Sequence, residues 1–299
     1  MKRRTFLYYS LLFIAGCNTA TYSPNGDYQN ATSELPEQLR LAVADVAGLE
    51  NLQRYYEPFR VALAEILDEP VEFFPTNTYT AAASALVNNR VEFVLAGPSE
   101  YVILKARTNT QPIIGITRPD YYSVICVRAD SPIQTVADIK GKTIAMKAIG
   151  STSGHLGPTK LLMDANLNPQ SDLEINFLRK EGLPNLLKGE VDAWGGPWRR
   201  YLDFLATENL SERDFRILAK SSLLPNDLLM ANSNLSPATV EGIKSRLLQH
   251  QNQLVQSLTT VEDDKYVGAT LIAARDSDYD EVRQVYRAIG QGDFLQDDS

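Results

Sequence analysis

The most informative stretch of this chain spans residues 143–162 and reads TIAMKAIGSTSGHLGPTKLL. Its apolar start predicts a strand over residues 143–148, and the segment after Leu156 predicts a helix. Between them lie three consecutive hydroxyl residues, 151–153. The first N–H groups of a helix have no intrahelical acceptor, and the helix dipole places partial positive charge there. Hydroxyl donors beside such a helix start predict a cradle for a small tetrahedral oxyanion.

Strand and helix patterns alternate through the rest of the body. This alternation predicts an α/β fold with a largely parallel sheet covered on both faces. The predicted strands are 39–44, 71–74, 91–96, 113–117, 122–127, 143–148, 172–177, 191–194 and 215–219. The predicted helices are 49–67, 79–88, 99–107, 136–139, 157–166, 182–188, 199–206 and 237–258.

The N-terminus carries the pattern of an export signal. Basic residues at positions 2–4 precede an apolar run over residues 6–15, which fits a signal peptide at 1–16 and is too short to span a bilayer. The run ends in IAGC at positions 14–17, which resembles a bacterial lipobox, so lipidation of Cys17 is predicted. An ordinary secretory signal that happens to contain a cysteine is the alternative.

Composition indicates a soluble globular body behind a tether. Residues 17–36 are rich in Asn, Thr, Ser, Gly and Pro, which predicts a flexible linker from a lipid anchor. The formal net charge is −8, which argues against nucleic acid as a partner and requires a bound anion to be held by local donors. Cys126 lies in an apolar run and is predicted to be a core residue. No set of side chains has the spacing of a metal site, so neither a metal nor a cofactor is predicted.

Several motifs follow one another in a characteristic order. YYSVI at 121–125, RADSP at 128–132 and DIKGKTI at 138–144 precede STSG at 151–154. Together they resemble the phosphate/phosphite/phosphonate-binding component of ABC importers, a family of type II periplasmic substrate-binding proteins. The resemblance runs from about residue 39 to at least residue 230.

That resemblance implies two α/β lobes with a ligand cleft between them. One lobe is expected to contain residues 37–118 and 223–299, and the other residues 121–222, with hinges near 119–120 and 219–222. The implied function is capture without chemistry, by a monomer that delivers a small phosphorus oxyanion to an inner-membrane ABC permease.

The resemblance also implies specific ligand contacts. Three positions have structural alternatives: the tyrosines at 79 and 121 also fit packing at a lobe edge. The aspartate at 227 also fits a cap of the following turn. The residues carried over from the family pattern are Ser151, Thr152, Ser153, Tyr79, Ser99, Tyr121 and Asp227.

Two departures from the family pattern bear on ligand choice. Arg179 stands where aminophosphonate binders of the family carry a histidine, and Arg199 or Trp198 stands where an acidic residue contacts the ligand amine. This exchange favours phosphite, phosphate or a small alkylphosphonate over 2-aminoethylphosphonate, unless both arginines point to solvent. His155 follows the cradle and is a further candidate contact, although an exposed first-turn position is expected for it.

Two other classes of function compete with this one. A hydrolase of phosphate esters needs a base and an orienting partner for its nucleophile, and the sequence supplies no such set. A periplasmic binder or sensor of another oxyanion, such as a sulfonate or sulfate, remains compatible with the same fold.

Overall fold

Two mixed β-sheets organise this chain. In the computed structural model, which describes residues 35–76, 79–261 and 264–292, six strands form the first sheet and five form the second. The side chains of residues 79 and 80 are not described. The strands and their covering helices confirm the predicted α/β class.

Three predictions for the N-terminal region concern residues outside these ranges. The signal peptide at 1–16, the lipidation of Cys17 and most of the tether at 17–36 lie outside the described residues. At the end of the predicted tether, Leu35 already packs against the core of the first sheet.

Strands are numbered along the chain and divide cleanly between the sheets. The first sheet contains β1 (Leu39–Val43), β2 (Val71–Phe73), β3 (Phe93–Ala96), β4 (Gln111–Ile116), β10 (Asp227–Ala231) and β11 (Leu271–Ala273). The second sheet contains β5 (Ser123–Arg128), β6 (Thr143–Met146), β7 (Glu174–Phe177), β8 (Ala193–Pro197) and β9 (Phe215–Lys220).

Both sheets mix parallel and antiparallel pairs. The first has the order β11-β4-β10-β3-β1-β2, in which only the β1–β2 and β1–β3 pairs are parallel. The second has the order β7-β6-β8-β5-β9, in which only β6–β7 and β6–β8 are parallel. The prediction of a largely parallel sheet was therefore wrong. Two of the antiparallel arrangements occur where the chain changes sheets. After leaving the second sheet, the chain inserts β10 between β3 and β4 of the first sheet, and β5 and β9, the first and last strands of the second sheet, pair with each other.

The chain crosses between the sheets twice, over residues 117–122 and 221–226. The crossovers are bonded to each other: Ser221 N donates to Ser123 O and Leu224 N donates to Tyr121 O, both at 2.9 Å. Each sheet with its helices is called a lobe below, the first lobe being built on the first sheet.

Helices cover both faces of each sheet. They are α1 (Leu49–Leu67), α2 (Tyr79–Val87), α3 (Pro98–Thr108), α4 (Gly157–Asp164), α5 (Gly182–Lys188), α6 (Trp198–Thr207), α7 (Pro237–Gln249), α8 (Gln251–Ser257) and α9 (Asp280–Ala288). Alternate residues of β1 point to opposite cores: Leu41 packs with Phe59 of α1, whereas Ala42 packs with residues of α2, α3 and α9. Two further clusters sandwich the second sheet.

One predicted helix is divided in the structure. The pattern over 237–258 forms two helices, α7 and α8, which meet at His250, a residue outside helical geometry with φ −106° and ψ 27°. The surrounding residues 249–253 are all polar, so no apolar stripe continues through the junction to hold a straight helix on the core.

Candidate functional site

A cavity of about 650 Å³ lies between the lobes and is lined by both of them. The second-lobe wall is formed where the parallel strands β6, β7 and β8 end, at Lys147, Arg179 and Arg199. The first-lobe wall includes Ser99, in the first turn of the helix that follows β3, and Asp227 at the start of β10. Ligands of open α/β sheets characteristically bind outside the carboxyl ends of strands.

The predicted hydroxyl run opens its helix with a π-helical turn over Thr152–Leu156. The N–H groups of His155 and Leu156 both donate to Ser151 O, at 2.9 and 3.0 Å, which closes this wider turn. Ser151 is the N-cap, and its Oγ accepts from Gly154 N at 3.3 Å. Such turns are frequent at functional sites, and Thr152 and Ser153, at the start of this one, line the cavity.

The three hydroxyls all line the cavity, but their hydrogen bonds differ. Ser151 uses its oxygen as an acceptor and keeps its hydroxyl proton for another partner. Thr152 Oγ1 donates to Ser99 Oγ at 3.0 Å and accepts from Ser99 N at 3.1 Å. The Ser153 hydroxyl has no hydrogen bond to any described residue, while its backbone oxygen accepts from Ser123 Oγ at 2.9 Å.

Glycine at position 154 allows Lys147 to lie against this turn. A Cβ on Gly154 would come 2.4 Å from Lys147 Cβ, 3.0 Å from Lys147 Cδ and 2.9 Å from Ser151 Oγ. Lys147 N also donates to Gly154 O at 2.9 Å. The alkyl chain of Lys147 therefore packs directly over the glycine, next to the hydroxyls.

Asp227 lies in a buried ionic cluster at the bottom of the first-lobe wall. Its side chain has 0% exposure and is 2.8 Å from Lys265 Nζ and 3.4 Å from Arg118 Nη1. The Tyr266 hydroxyl donates a hydrogen bond to Asp227 Oδ2 at 2.7 Å. Burial opposes ionisation, but Lys265 and Arg118 hold the pKa of Asp227 below its usual value. The carboxylate thus faces the cavity with its charge compensated by two cations.

A second acidic side chain, Glu100, lies close to this cluster. Its Oε2 accepts from Ser99 Oγ at 2.9 Å. Burial, together with the negative charges of Asp45 and Asp227, raises the pKa of Glu100 to about 7. Neutral and charged forms of this carboxyl are therefore both accessible near neutral pH.

The candidate tyrosines fall at different places. Tyr121 is buried, lines the cavity and stacks under Arg118, whose guanidinium carbon is 3.6 Å from the ring centroid. Tyr79 is the first residue of α2, and its side chain lies outside what the structure describes.

The two candidate arginines both line the cavity, in different states. Arg179 is exposed and has a left-handed backbone with φ 51°, and its side chain has no partner among the described residues. Arg199 is paired at 3.1 Å with Asp203 and at 3.1 Å with Asp264. Because Asp264 belongs to the first lobe, the second ion pair of Arg199 spans the cleft.

His155 differs from the expected exposed first-turn residue, since only 4% of it is accessible. Its Nδ1 accepts from Gly150 N at 3.0 Å, and its ring meets Phe177 edge-on with centroids 4.9 Å apart. Burial lowers the pKa of His155 to about 4, so the imidazole is neutral at physiological pH. His155 is not among the described residues that line the cavity, and its hydrogen bond from Gly150 N stabilises the loop that precedes the cradle.

The cavity wall is cationic although the chain is acidic. Among the described lining residues, the second lobe contributes Lys147, Arg179, Lys180, Arg199 and Arg200 against a single carboxylate, Asp203. The first-lobe wall is mixed, with two cations, Arg118 and Lys265, and three carboxyl groups, Asp45, Asp227 and Glu100. A concave wall of one sign concentrates ions of the opposite sign.

Sequence reasoning missed most of these charged residues. Lys147 lies near the end of the predicted strand 143–148 and Lys180 follows the predicted strand 172–177, so their positions at strand ends were a usable signal. Arg118 and Lys265 meet only because β4 and the loop before β11 converge on Asp227, and no motif marks either residue.

The described residues contain neither a candidate metal site nor a candidate membrane span. They contain no group of three or more His, Cys, Asp or Glu side chains placed to hold a metal ion. None of the helices in this part of the chain is long and apolar enough to cross a membrane.

Two α/β lobes that enclose a polar cleft at their strand ends define the type II periplasmic binding protein fold. Residues 43–279 match the model of the family described as "ABC transporter, phosphonate, periplasmic substrate-binding protein", and the chain belongs to this family. The resemblance inferred from the motifs is thereby confirmed.

Individual relatives have low sequence identity to this chain, but the similarity covers most of its length. The chain is 24% identical to the phosphate-import protein PhnD of Mycolicibacterium smegmatis, over 88% of this chain and 89% of that one. PhnD1 of Prochlorococcus marinus in complex with methylphosphonate has a TM-score of 0.62 at 16% identity, over 86% and 100% of the two chains. The Xanthomonas citri protein XAC2383 bound to ATP has a TM-score of 0.67 at 17% identity, over 87% and 100%. These structures show a shared fold.

Proposed function

We propose that this protein captures a small phosphorus oxyanion, namely phosphite, phosphate or an alkylphosphonate, in the cleft and delivers it to an ABC permease. The observation that carries the proposal is the hydroxyl run 151–153 at the start of a helix, on a cationic wall of a cavity between two lobes. Free N–H groups and hydroxyls replace the hydration of a tetrahedral anion without adding bulk. The PhnD relatives import phosphate or bind methylphosphonate by their names, in line with this ligand class.

Closure of the lobes is the proposed mechanism of capture. Contacts such as Thr152–Ser99 and Arg199–Asp264 join the two walls, and the bonded crossovers at 117–122 and 221–226 are suited to act as hinges. Ligand contacts that exist only when the lobes meet shift the equilibrium toward the closed form. The permease then recognises the closed, loaded form.

The charge of the second-lobe wall supports a preference against aminophosphonates. Arg179 and Lys147 line the cavity on the side where an amine-bearing tail would need carboxylates. A ligand ammonium would be repelled there, whereas oxyanions gain charge-assisted hydrogen bonds. We therefore place 2-aminoethylphosphonate below phosphate, phosphite and methylphosphonate in affinity.

A binder without enzymatic activity agrees best with the hydrogen bonds of the cradle. Neither Ser151 nor Ser153 is bonded to an imidazole, because Nδ1 of His155 is engaged by Gly150 N. General-base activation of a serine requires such a contact. Incubation with a chromogenic phosphate monoester is expected to release no phosphate.

Export and anchoring complete the proposal. We place the mature protein outside the cytoplasmic membrane, monomeric and held by lipid on Cys17. Cys17→Ser is expected to abolish incorporation of radiolabelled palmitate and to release the protein from the membrane fraction. Labelling that persists in the variant would rule out this anchor.

Calorimetry with a panel of anions tests the ligand assignment. Phosphate, phosphite, methylphosphonate, 2-aminoethylphosphonate, sulfate and an alkanesulfonate are titrated into the mature protein. The proposal expects at least one of the first three to bind more tightly than either sulfur anion and than the aminophosphonate. If a sulfur anion binds most tightly, the protein is a sulfate or sulfonate binder and the proposal is wrong.

A further inference from the structure

The second-lobe wall holds more positive charge than one phosphorus oxyanion requires. Lys147, Arg179, Lys180 and Arg200 line the cavity, and none has a salt bridge or a side-chain hydrogen bond to a described residue. Arg199, by contrast, is fully occupied by Asp203 and Asp264. The four unpaired residues are called the cation arc.

The cation arc is attached to the hydroxyl cradle through the backbone. Lys147 N donates to Gly154 O, and Arg179 N donates to Lys147 O, each at 2.9 Å. Two short bonds thus connect the cradle, the end of β6 and the end of β7. The arc is a neighbouring part of the same cavity and not a separate surface patch.

Arg179 has a backbone conformation that an arginine adopts at a cost. Its φ of 51° lies in the left-handed region, which glycine and asparagine occupy more readily. Local strain of this kind is typical of residues positioned for a ligand. Arg179 lies two residues after the end of β7, and its long cationic side chain lines the cavity.

The cavity also exceeds the size of a single tetrahedral ion. Its volume of about 650 Å³ falls in the range of pockets that bury organic ligands. An ion bound at residues 151–153 would leave space beside it, bordered by the cation arc. Cations facing such space have no protein carboxylate to neutralise them.

Resting on the proposed function, we propose that the cleft is built for phosphorus oxyanions that carry a second anionic group, which the cation arc binds. The phosphorus group occupies the hydroxyl cradle, and a carboxylate or second phosphoryl group reaches Lys147, Arg179 and Lys180. A phosphonate with a short carboxylate tail and a diphosphate are the simplest members of this class.

Three phosphonates with tails of matched length test this proposal. The mature protein is titrated with 3-phosphonopropionate, propylphosphonate and 2-aminoethylphosphonate, whose tails end in an anion, a methyl group and a cation. We expect 3-phosphonopropionate to bind at least about tenfold more tightly than propylphosphonate, and the aminophosphonate to bind weakest. Equal binding of the first two overturns the inference and leaves the proposed function intact.

Variants separate direct binding from a general electric field. Lys180→Gln is expected to remove most of the advantage of 3-phosphonopropionate while changing propylphosphonate affinity less than about threefold. Lys142→Gln is the matched control, since Lys142 is an exposed second-lobe lysine outside the cavity lining. Equal losses for both ligands would show field attraction alone and contradict the proposal.

The Arg179→Gly variant separates loss of ligand binding from loss of folding stability. Glycine adopts the left-handed conformation without strain, so the melting temperature is expected to stay the same or rise. The same variant should lose preference for the carboxylate-bearing ligand. A retained preference counts against the proposal, and a failure of the wild type to bind any phosphonate overturns both this inference and the proposed function.

Discussion

Thr152 and Ser99 are bonded to each other in both directions across the two lobes. Thr152 Oγ1 donates to Ser99 Oγ at 3.0 Å, and Ser99 N donates back to Thr152 Oγ1 at 3.1 Å. Both residues are buried. The central hydroxyl of the cradle therefore connects the helix start of one lobe with the first turn of α3 in the other.

This contact predicts that Thr152 acts on binding through closure as well as through the ligand. Thr152→Ala and Ser99→Ala are each expected to weaken ligand binding by about 1–3 kcal/mol, because a buried partner is left unsatisfied. Calorimetry on the single and double variants measures their coupling. Ser171→Ala, at an exposed second-lobe position, is the control; strictly additive losses at 99 and 152 would contradict a shared role.

Close packing at Gly154 gives a second prediction. Gly154→Ala places a methyl group 2.4 Å from Lys147 Cβ, a distance that requires the backbone to move. The variant is expected to lower the melting temperature and to reduce affinity by about tenfold, since the hydroxyls and Lys147 shift together. Gly242→Ala is the matched control: it lies within α7 with nothing within 4 Å of the added methyl, so about 0.5–1 kcal/mol of added stability is expected. Unchanged affinity in Gly154→Ala would disprove the tight fit.

The ionic cluster around Asp227 predicts a large loss of stability when it is broken. Asp227→Asn leaves Lys265 and Arg118 without their main counter-charge in a buried place, which costs about 3–5 kcal/mol. Arg199→Gln removes only exposed ion pairs, and a change below about 1 kcal/mol is expected. Denaturant unfolding of both variants measures the difference; comparable small losses would contradict a structural role of the cluster.

The same cluster predicts how the unfolding free energy changes as the pH falls. Because the pKa of Asp227 is lowered in the folded state, its stabilisation is complete above the ordinary aspartate pKa and is lost as pH falls through the lowered value. Wild-type unfolding free energy should therefore decline in acid more steeply than that of Asp227→Asn.

Glu100 predicts the opposite pH dependence. Its pKa is raised to about 7 in the folded protein from an ordinary value of 4.5, so the folded state favours the protonated carboxyl. The contribution of Glu100 to the unfolding free energy is then largest below about pH 4.5 and falls as pH rises through about 7. Glu100→Gln should flatten this fall between pH 5 and pH 8, whereas Glu190→Gln, at an exposed position, should not. A variant that keeps the wild-type profile would exclude Glu100 as its source.

Local patterns accounted for much of the secondary structure. The predicted helices at 49–67 and 182–188 coincide with α1 and α5, because each carries a continuous apolar stripe with clear ends. The hydroxyl run lies at a helix start, as the strand–turn–helix pattern predicted. Strand β10, Asp227–Ala231, was missed although its four apolar residues are all buried, since a short apolar run after a loop has no periodicity of its own.

Features that depend on tertiary contacts could not be read from local patterns. His155 is buried because the cradle packs against Phe177, a contact between segments that no spacing rule links. The charge state of Asp227 depends on Lys265 and Arg118, which reach it from separate parts of the first sheet's connections. Sequence reasoning therefore identified the site through its donors and missed the charges that surround them.

A crystal structure of the mature protein grown with methylphosphonate would show whether residues 151–153 bind the anion. The phosphorus atom is expected between the lobes, with its oxygens within hydrogen-bonding distance of the Ser151 and Ser153 hydroxyls and the adjacent N–H groups. Phosphonate bound elsewhere, or a saturated crystal in which residues 151–153 contact no anion, would contradict the proposed site.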